Sequence, residues 1–331
     1  MEIQKQKTSV ALLSVASNCM LVILKLITGL LTGSISILSE AAHSSMDLIA
    51  SVIAFFAVRI SARRPDAEHP FGHGKVEDIS ALAEALLIVI AAVWIVVEAV
   101  NKIIAPQRLE TIDWGIAVML LSVVANIIVS QLLFTVGKRA DSPALIADAW
   151  HLRTDVWTSA GVLTGLAVIW VGARLWPNIN LTWIDPVAAI LVATLILRAA
   201  FNLTLGATKD LIDTSPPAHE LYWLSSYLQS WYPTARSIHR IRTRKSGAAR
   251  FIDLHIVVDP AMTVSDSHEI TEKMTAAVRG KLSGADLTVH IEPCDGLCKK
   301  ACASGCMLPS EERTAIQQSA AAAAKKTRQT I

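Results

Sequence analysis

Long apolar stretches alternate with short polar ones along the first two thirds of the chain. Six apolar segments can be drawn, at residues 9–32, 36–61, 79–104, 113–136, 144–171 and 183–206. Each approaches or exceeds the ~20 residues that a helix needs to cross about 30 Å of hydrocarbon. The pattern therefore predicts an α-helical membrane protein with a bundle of six transmembrane helices over residues 9–207, preceded by an N-terminal cytoplasmic segment at residues 1–8.

The pattern changes after about residue 207, where the polar connector KDLIDTSPPAHE leads into shorter segments. A run with helical spacing precedes two strand-like runs joined at Ser246–Gly247, an amphipathic helix capped by Ser265 or Asp266, and the strand-like run ADLTVHIEP. This order predicts a cytoplasmic α+β domain over residues 208–293, with an αββαβ fold of the ferredoxin or metallochaperone type. Residues 294–331 are a Cys-rich and then Ala/Lys-rich tail, whose second part is expected to be a frayed helix or disordered.

Composition supports a membrane protein and argues against other classes. Charged residues make up 18% of the chain and hydrophobic residues 53%, whereas a soluble chain carries about 25% charged residues. The net charge of +2 gives no argument for a nucleic-acid partner. Four of the five cysteines cluster near the C-terminus, which is not the pattern of a secreted disulfide framework.

Basic residues near the span ends predict the orientation. The side of the bundle that holds the termini is the richer one, with Lys5, Lys7, Arg63, Arg64, Lys75, Lys138 and Arg139, against Lys102, Arg108 and Arg174 on the other side. Cytoplasmic loops carry the excess of Lys and Arg. Both termini and the soluble domain are therefore expected in the cytoplasm.

Spans two and five share a polar pattern that is unusual for lipid-embedded helices. Each contains a histidine with an aspartate four residues later, His43 with Asp47 and His151 with Asp155. Positions i and i+4 lie on one helix face, and two nitrogen and two oxygen ligands suit tetrahedral Zn²⁺. An unpaired mid-bilayer Asp costs ~2.5–3.5 kcal/mol, which a cation or protons would offset. The alternative is a set of helix–helix hydrogen bonds inside the bundle.

Three more charged residues accompany these pairs. Glu40 and Asp148 precede the two histidines by about one turn, and they form either a charge pair on the cation's access route or an interfacial pair. Arg153 lies between the two candidate ligands of span five but on another face, where a salt bridge within the bundle is expected.

Further candidate ligands lie outside the spans. The loop RRPDAEHPFGHGKVED offers Asp66, His69 and His73, either as a second cation site or as a solvated loop. The soluble domain offers either a two-cation site bridged by the glutamate or independent surface residues, at His239, His255, His268, His290 and Glu292. The tail cysteines either bind a soft cation or have a redox role or none; they are Cys294, Cys298, Cys302 and Cys306.

Six spans, the paired HxxxD motifs, HPFGHGKVE after span two and the αββαβ domain make residues 8–293 resemble the cation diffusion facilitator family. The resemblance maps the transport site onto His43, Asp47, His151 and Asp155, the loop site onto Asp66, His69 and His73, and a cytoplasmic dinuclear site onto His239, His255, His268, His290 and Glu292. Glu292 stands where relatives have Asp. Lys75 and Asp213 match a charge pair between the membrane domain and the connector. The resemblance also implies a homodimer and proton-coupled antiport, and a bacterial inner membrane is the expected location.

Together these features predict a proton-coupled exporter that works by alternating access, with Zn²⁺ as the transported and bound ion and no organic cofactor. Two-His, two-Asp members of the family are mostly zinc exporters, and cadmium, cobalt, nickel or iron remain alternatives by the same mechanism. A zinc enzyme is disfavoured because four ligands close the site and no HExxH motif is present. A membrane metal sensor that transports nothing is the remaining alternative.

Overall fold

A computed structural model describes residues 2–33, 35–104, 115–175 and 183–329. The chain divides into two compact units, Met1–Leu211 and Ile212–Ile331. Arg108, one of the residues used to predict the orientation, lies outside the described residues.

The first unit consists of long helices, α1 Glu2–Thr32, α2 Ile35–Ser61, α3 Lys75–Ile104, α4 Gly115–Arg139, α5 Pro143–Leu175 and α6 Ile184–Leu211. Within the described residues, α1, α2, α3, α4 and α6 contain stretches long and apolar enough to cross a membrane. Helix α5 has 33 residues and carries the ionisable group around His151. The predicted membrane bundle is confirmed, and α1 already begins at Glu2, inside the segment predicted to precede the first span.

The bundle is apolar outside and contains polar side chains inside. Large hydrophobic residues such as Leu31, Trp94 and Leu191 are exposed on the outer faces, as a lipid environment allows. Alanines, including Ala11, Ala57, Ala144 and Ala149, fill the contacts between helices, and small residues let membrane helices approach closely. The buried ionisable side chains therefore lie between helices rather than against lipid.

The second unit has the predicted αββαβ order, which is confirmed, in α7 Ala218–Gln229, β1 Ser237–Ser246, β2 Ala249–Val258, α8 Val264–Lys281 and β3 Ala285–Pro293. The sheet order is β1-β2-β3, with β1 antiparallel and β3 parallel to β2. Its core contains Leu228, Ile252, Leu254, Ile256 and Met274. The predicted cap of α8 was wrong by two or three residues, because the Thr263 hydroxyl accepts the hydrogen bond from the Asp266 N–H.

The tail is more ordered than its composition predicts. It forms the short helix α9, Lys300–Ser304, and the helix α10, Ser310–Gln329. Between them the backbone pairs with the outer edge of β1: Ile238 N donates to Gly305 O at 3.1 Å, and Met307 N donates to Arg236 O at 2.9 Å. The tail therefore covers a strand edge that would otherwise expose unpaired backbone groups.

Candidate metal centres

Helices α2 and α5 bring the two HxxxD pairs together. His151 Nε2 lies 3.0 Å from Asp47 Oδ1, and His43 Nε2 lies 3.7 Å from Asp155 Oδ1. Each histidine thus faces the aspartate of the other helix. Ligand atoms of His43, Asp47 and Asp155 all lie within 4.8 Å of one another. The four predicted residues form one cluster, with the two nitrogen and two oxygen donors that tetrahedral Zn²⁺ accepts.

The cluster is open on one flank. The side chains of Asp47 and His151 are each 7% exposed, whereas that of His43 is 51% exposed. The Asp47–His151 pair is therefore the inner half of the group and His43 the outer half.

Lys25 on α1 is a neighbour of this cluster that the sequence interpretation missed. Its ammonium group donates to Glu40 Oε2 at 3.1 Å and to Ser44 Oγ at 2.8 Å. Glu40 therefore has a cationic partner one turn from His43. The only signal in the sequence is a lysine inside an apolar span.

Two further charged residues of α5, Asp148 and Arg153, also have defined settings. Asp148 is fully buried. Arg153 donates to Gln131 Oε1 at 2.8 Å and lies 4.4 Å from the centre of the Phe134 ring. These neighbours are an amide and an aromatic face rather than the acidic partner that the sequence interpretation expected.

A second buried charge pair joins α1 to α3. Lys7 and Glu77 form an ion pair in which the two side chains are 5% and 2% exposed. Glu77 also accepts hydrogen bonds from the hydroxyls of Ser61 and Ser142. Sequence reasoning used Lys7 only for orientation and did not identify Glu77, since nothing local in the sequence links the two residues.

The loop between α2 and α3 brings Asp66, His69 and His73 together. The Asp66 carboxylate lies 3.3 Å from His69 Nδ1 and 3.3 Å from His73 Nε2, and all three ligand atoms lie within 4.8 Å of one another. The His69 N–H also donates to Asp66 Oδ1 at 2.7 Å. This hydrogen bond lowers the pKa of Asp66, so the carboxylate is ionised and able to bind a cation at neutral pH.

The sheet of the second unit positions the cytoplasmic histidines. His239 on β1 is opposite His255 on β2, and His255 aligns with His290 on β3. Glu292 is two residues beyond His290 and so shares its face. Its carboxylate lies 2.8 Å from His255 Nδ1, 3.5 Å from His239 Nε2 and 3.8 Å from His290 Nε2.

His268 does not join this group within the chain. It is exposed on α8, and the close set of ligand atoms comprises His239, His255 and Glu292. The fold therefore brings together those predicted residues that lie on the face of the sheet, around the carboxylate of Glu292.

The protonation states of this sheet face suit cation binding. Burial lowers the pKa of His239, and the hydrogen bond with His255 lowers the pKa of Glu292. A neutral imidazole and an ionised carboxylate are the forms that ligate metal. Both forms are therefore favoured at neutral pH.

We expect His255→Ala to weaken cation binding at the cytoplasmic cluster by at least ~10-fold, because it removes the imidazole closest to Glu292. The measurement is a zinc-binding isotherm on the full-length protein in lipid nanodiscs. His219→Ala is the matched control, since His219 is exposed on α7 and outside the cluster. Equal isotherms for the two variants would contradict the assignment.

Lys75 and Asp213, the predicted charge pair, each have a partner within their own unit. Lys75 donates to Leu211 O at 3.0 Å within the first unit, and Asp213 accepts from Arg244 at 3.5 Å within the second. A Lys75–Asp213 pair would lie between two units that are described separately, so it stays a prediction. The tail cysteines line one cavity, and burial raises the pKa of the Cys302 thiol.

Comparison with known proteins matches both units. The family profile described as cation efflux transmembrane domain matches residues 11–212, and that of the cation efflux protein cytoplasmic domain matches residues 217–294. An uncharacterized transporter, sll1263, from Synechocystis sp. is 34% identical over 86% of this chain and 89% of its own length. The cation-efflux pump FieF of Pectobacterium atrosepticum is 31% identical over 86% of this chain and 92% of its own. The metal-bound C-terminal domain of the CzcD transporter from Thermotoga maritima is 31% identical, with a TM-score of 0.22, and aligns over 24% of this chain and 94% of that structure.

Proposed function

The chain belongs to the cation diffusion facilitator family, a family of divalent metal cation efflux transporters, and we propose that it exports Zn²⁺ in exchange for protons. The observation that carries this proposal is the crosswise contact of His43 with Asp155 and of His151 with Asp47. Imidazole nitrogens suit zinc, whereas sites made only of carboxylates suit manganese and magnesium.

Charge balance supports an exchange of two protons for one divalent cation. With both imidazoles protonated, each faces one aspartate, and the four side chains carry no net charge. With both imidazoles neutral, the two aspartates balance a bound Zn²⁺ instead. Because uncompensated charge is costly inside a membrane, both loaded states of the cluster are favoured over the empty, deprotonated state.

Access to the cluster follows from its burial. Zn²⁺ reaches the outer half at His43 first and then the buried Asp47–His151 pair. The Lys25–Glu40 ion pair lies one turn from His43. We expect rocking of the bundle to expose the same ligands to the other side, where protons displace the cation, as in other alternating-access transporters.

The protein is expected to work as a homodimer in a bacterial inner membrane with both termini in the cytoplasm. The excess of Lys and Arg on one side of the bundle supports this orientation. The loop and sheet cation clusters would then sense cytoplasmic metal and shift the population of transport-competent dimers.

A transport assay tests the proposal. The purified protein is reconstituted into liposomes containing a metal-sensitive dye, and initial rates are measured for zinc, cadmium, cobalt, nickel, iron and manganese with and without a pH gradient. We expect zinc and cadmium to move fastest and the gradient to accelerate both. Metal gradients that the protein leaves unchanged would contradict export and favour a sensor.

The same assay tests whether the histidine ligands set the preference for zinc over manganese. We expect His151→Asp to lower the ratio of the zinc rate to the manganese rate by at least about tenfold, because it replaces a nitrogen ligand by oxygen. Asp141→Asn, a change outside the cluster, is the control. An unchanged ratio in the His151 variant would mean that selectivity arises elsewhere.

A further inference from the structure

The four tail cysteines converge although they do not share a helix. Cys294 directly follows β3, Cys298 has a left-handed backbone with φ +41°, Cys302 is in α9, and Cys306 pairs with Ser237 of β1. Residues with this spacing on one continuous helix would form a stripe about 18 Å long. The chain instead turns around a point, so that all four thiols line a single cavity.

The donor set of this cavity consists of sulfur. The cavity has a volume of about 10 Å³, comparable with the space of one water molecule. None of the described residues that line it carries a carboxylate or an imidazole. All four cysteines are partly buried free thiols. A shell of thiolates selects soft cations such as Zn²⁺ and Cu⁺, or iron–sulfur clusters.

Positive charge surrounds the thiols. Four thiolates around one divalent ion would leave a net charge of −2. Arg313 lines the cavity, as does Arg236, whose guanidinium is ion-paired with Asp259, and Lys299 and Lys300 stand between the second and third cysteines in the sequence. These basic groups would offset part of the charge of a thiolate centre.

The backbone holds the cysteines in place from several directions. Cys294 N donates to Val258 O at 2.9 Å, and Ser237 Oγ donates to Cys302 O at 2.9 Å. At Gly305 a Cβ atom would lie 1.9 Å from Ile238 O, so only glycine permits this approach of the tail to β1. These contacts position the backbone that carries the cysteines against β1.

We propose that Cys294, Cys298, Cys302 and Cys306 form a resident thiolate metal centre, separate from the cation pathway. Its occupant is a single thiophilic ion, which takes four cysteine ligands, because a cavity of about 10 Å³ has room for one small ion and not for an iron–sulfur cluster. The sulfurs are outside the groups of described ligand atoms that lie within 4.8 Å of one another. A single ion with bonds of about 2.3 Å needs sulfurs about 3.8 Å apart, so binding would turn the cysteine side chains toward the ion.

The centre would also support the neighbouring cation cluster. The tail backbone bonds to Arg236, which precedes β1, and to Ile238 of β1, and the next residue of that strand is His239. A metal that closes the tail on β1 would therefore hold this histidine in register with His255. The centre uses tail residues alone and does not depend on the proposed transport function.

The test is metal analysis of the full-length protein purified without oxygen. We expect close to one thiolate-bound ion per chain, seen as a sulfur-to-metal charge-transfer band after cobalt substitution. Iron with acid-labile sulfide would overturn the single-ion centre. We expect Cys302→Ser to remove the charge-transfer band and Cys19→Ser, a change of the exposed cysteine on α1, to keep it.

Two controls keep the result interpretable. Zinc flux of Cys302→Ser should stay within about twofold of the unmodified protein, so a failed transport proposal and a failed thiolate centre are distinguishable. A far-ultraviolet circular dichroism spectrum that matches that of Cys19→Ser will show that the Cys302 variant is folded. Disulfides, or four thiols that alkylate freely in metal-replete protein with no sulfur-to-metal signal, would overturn the proposal.

Discussion

Asp155→Asn is expected to reduce zinc flux by at least ~100-fold, a larger effect than any substitution outside the four-residue cluster should have, because it removes a charged ligand while keeping the size of the side chain. Asp155 faces His43 at 3.7 Å, and without its charge the four side chains cannot balance a divalent cation. The measurement is the initial rate of zinc movement in proteoliposomes.

Glu98→Gln is the matched control for this variant. It also removes a carboxylate from a membrane helix, but Glu98 is exposed on α3 and outside the cluster. Zinc binding by the cytoplasmic domain should be the same in both variants, which separates lost transport from lost folding. Flux in the Asp155 variant close to that of the control would remove this residue from the transport site.

The second large effect is on stability. Glu77→Gln should destabilise the membrane bundle by about 3–5 kcal/mol, because it leaves the Lys7 ammonium buried without its counter-ion. Thermal unfolding of the protein in nanodiscs, followed by far-ultraviolet circular dichroism, measures the change. The double variant Lys7→Met, Glu77→Gln should recover most of the loss, since no charge then stays buried.

Lys5→Met is the control for the loss of a lysine from the same helix. Lys5 is exposed whereas Lys7 is buried, so we expect Lys5→Met to change the unfolding temperature little. A Glu77 variant as stable as this control, or a double variant no more stable than Glu77→Gln alone, would contradict this account of the Lys7–Glu77 pair.

Features that depend on local spacing could be predicted from the sequence. Hydropathy indicated the six spans because each helix satisfies its own backbone hydrogen bonds. The HxxxD spacing placed His43 with Asp47 and His151 with Asp155 on single helix faces because four residues are close to one turn. Strand alternation placed His290 and Glu292 on one face for the same kind of reason.

Features that depend on packing between distant segments could not be predicted from the sequence. The partners of Lys25 and Glu77 lie on other helices, and no local pattern links them. The exact pairing of His43 with Asp155 rather than with its own Asp47 follows from how α2 meets α5. The convergence of the tail cysteines on one cavity depends on φ +41° at Cys298 and φ +73° at Gly296, which turn the chain between them.

The central claim is that one divalent cation and protons compete for the same four side chains. Its most direct test imposes a zinc gradient across proteoliposomes at equal pH and records the internal pH with a trapped dye. We predict proton movement opposite to zinc, close to two protons per ion, and none with Asp155→Asn. Zinc movement at the normal rate without any change in internal pH would contradict this claim.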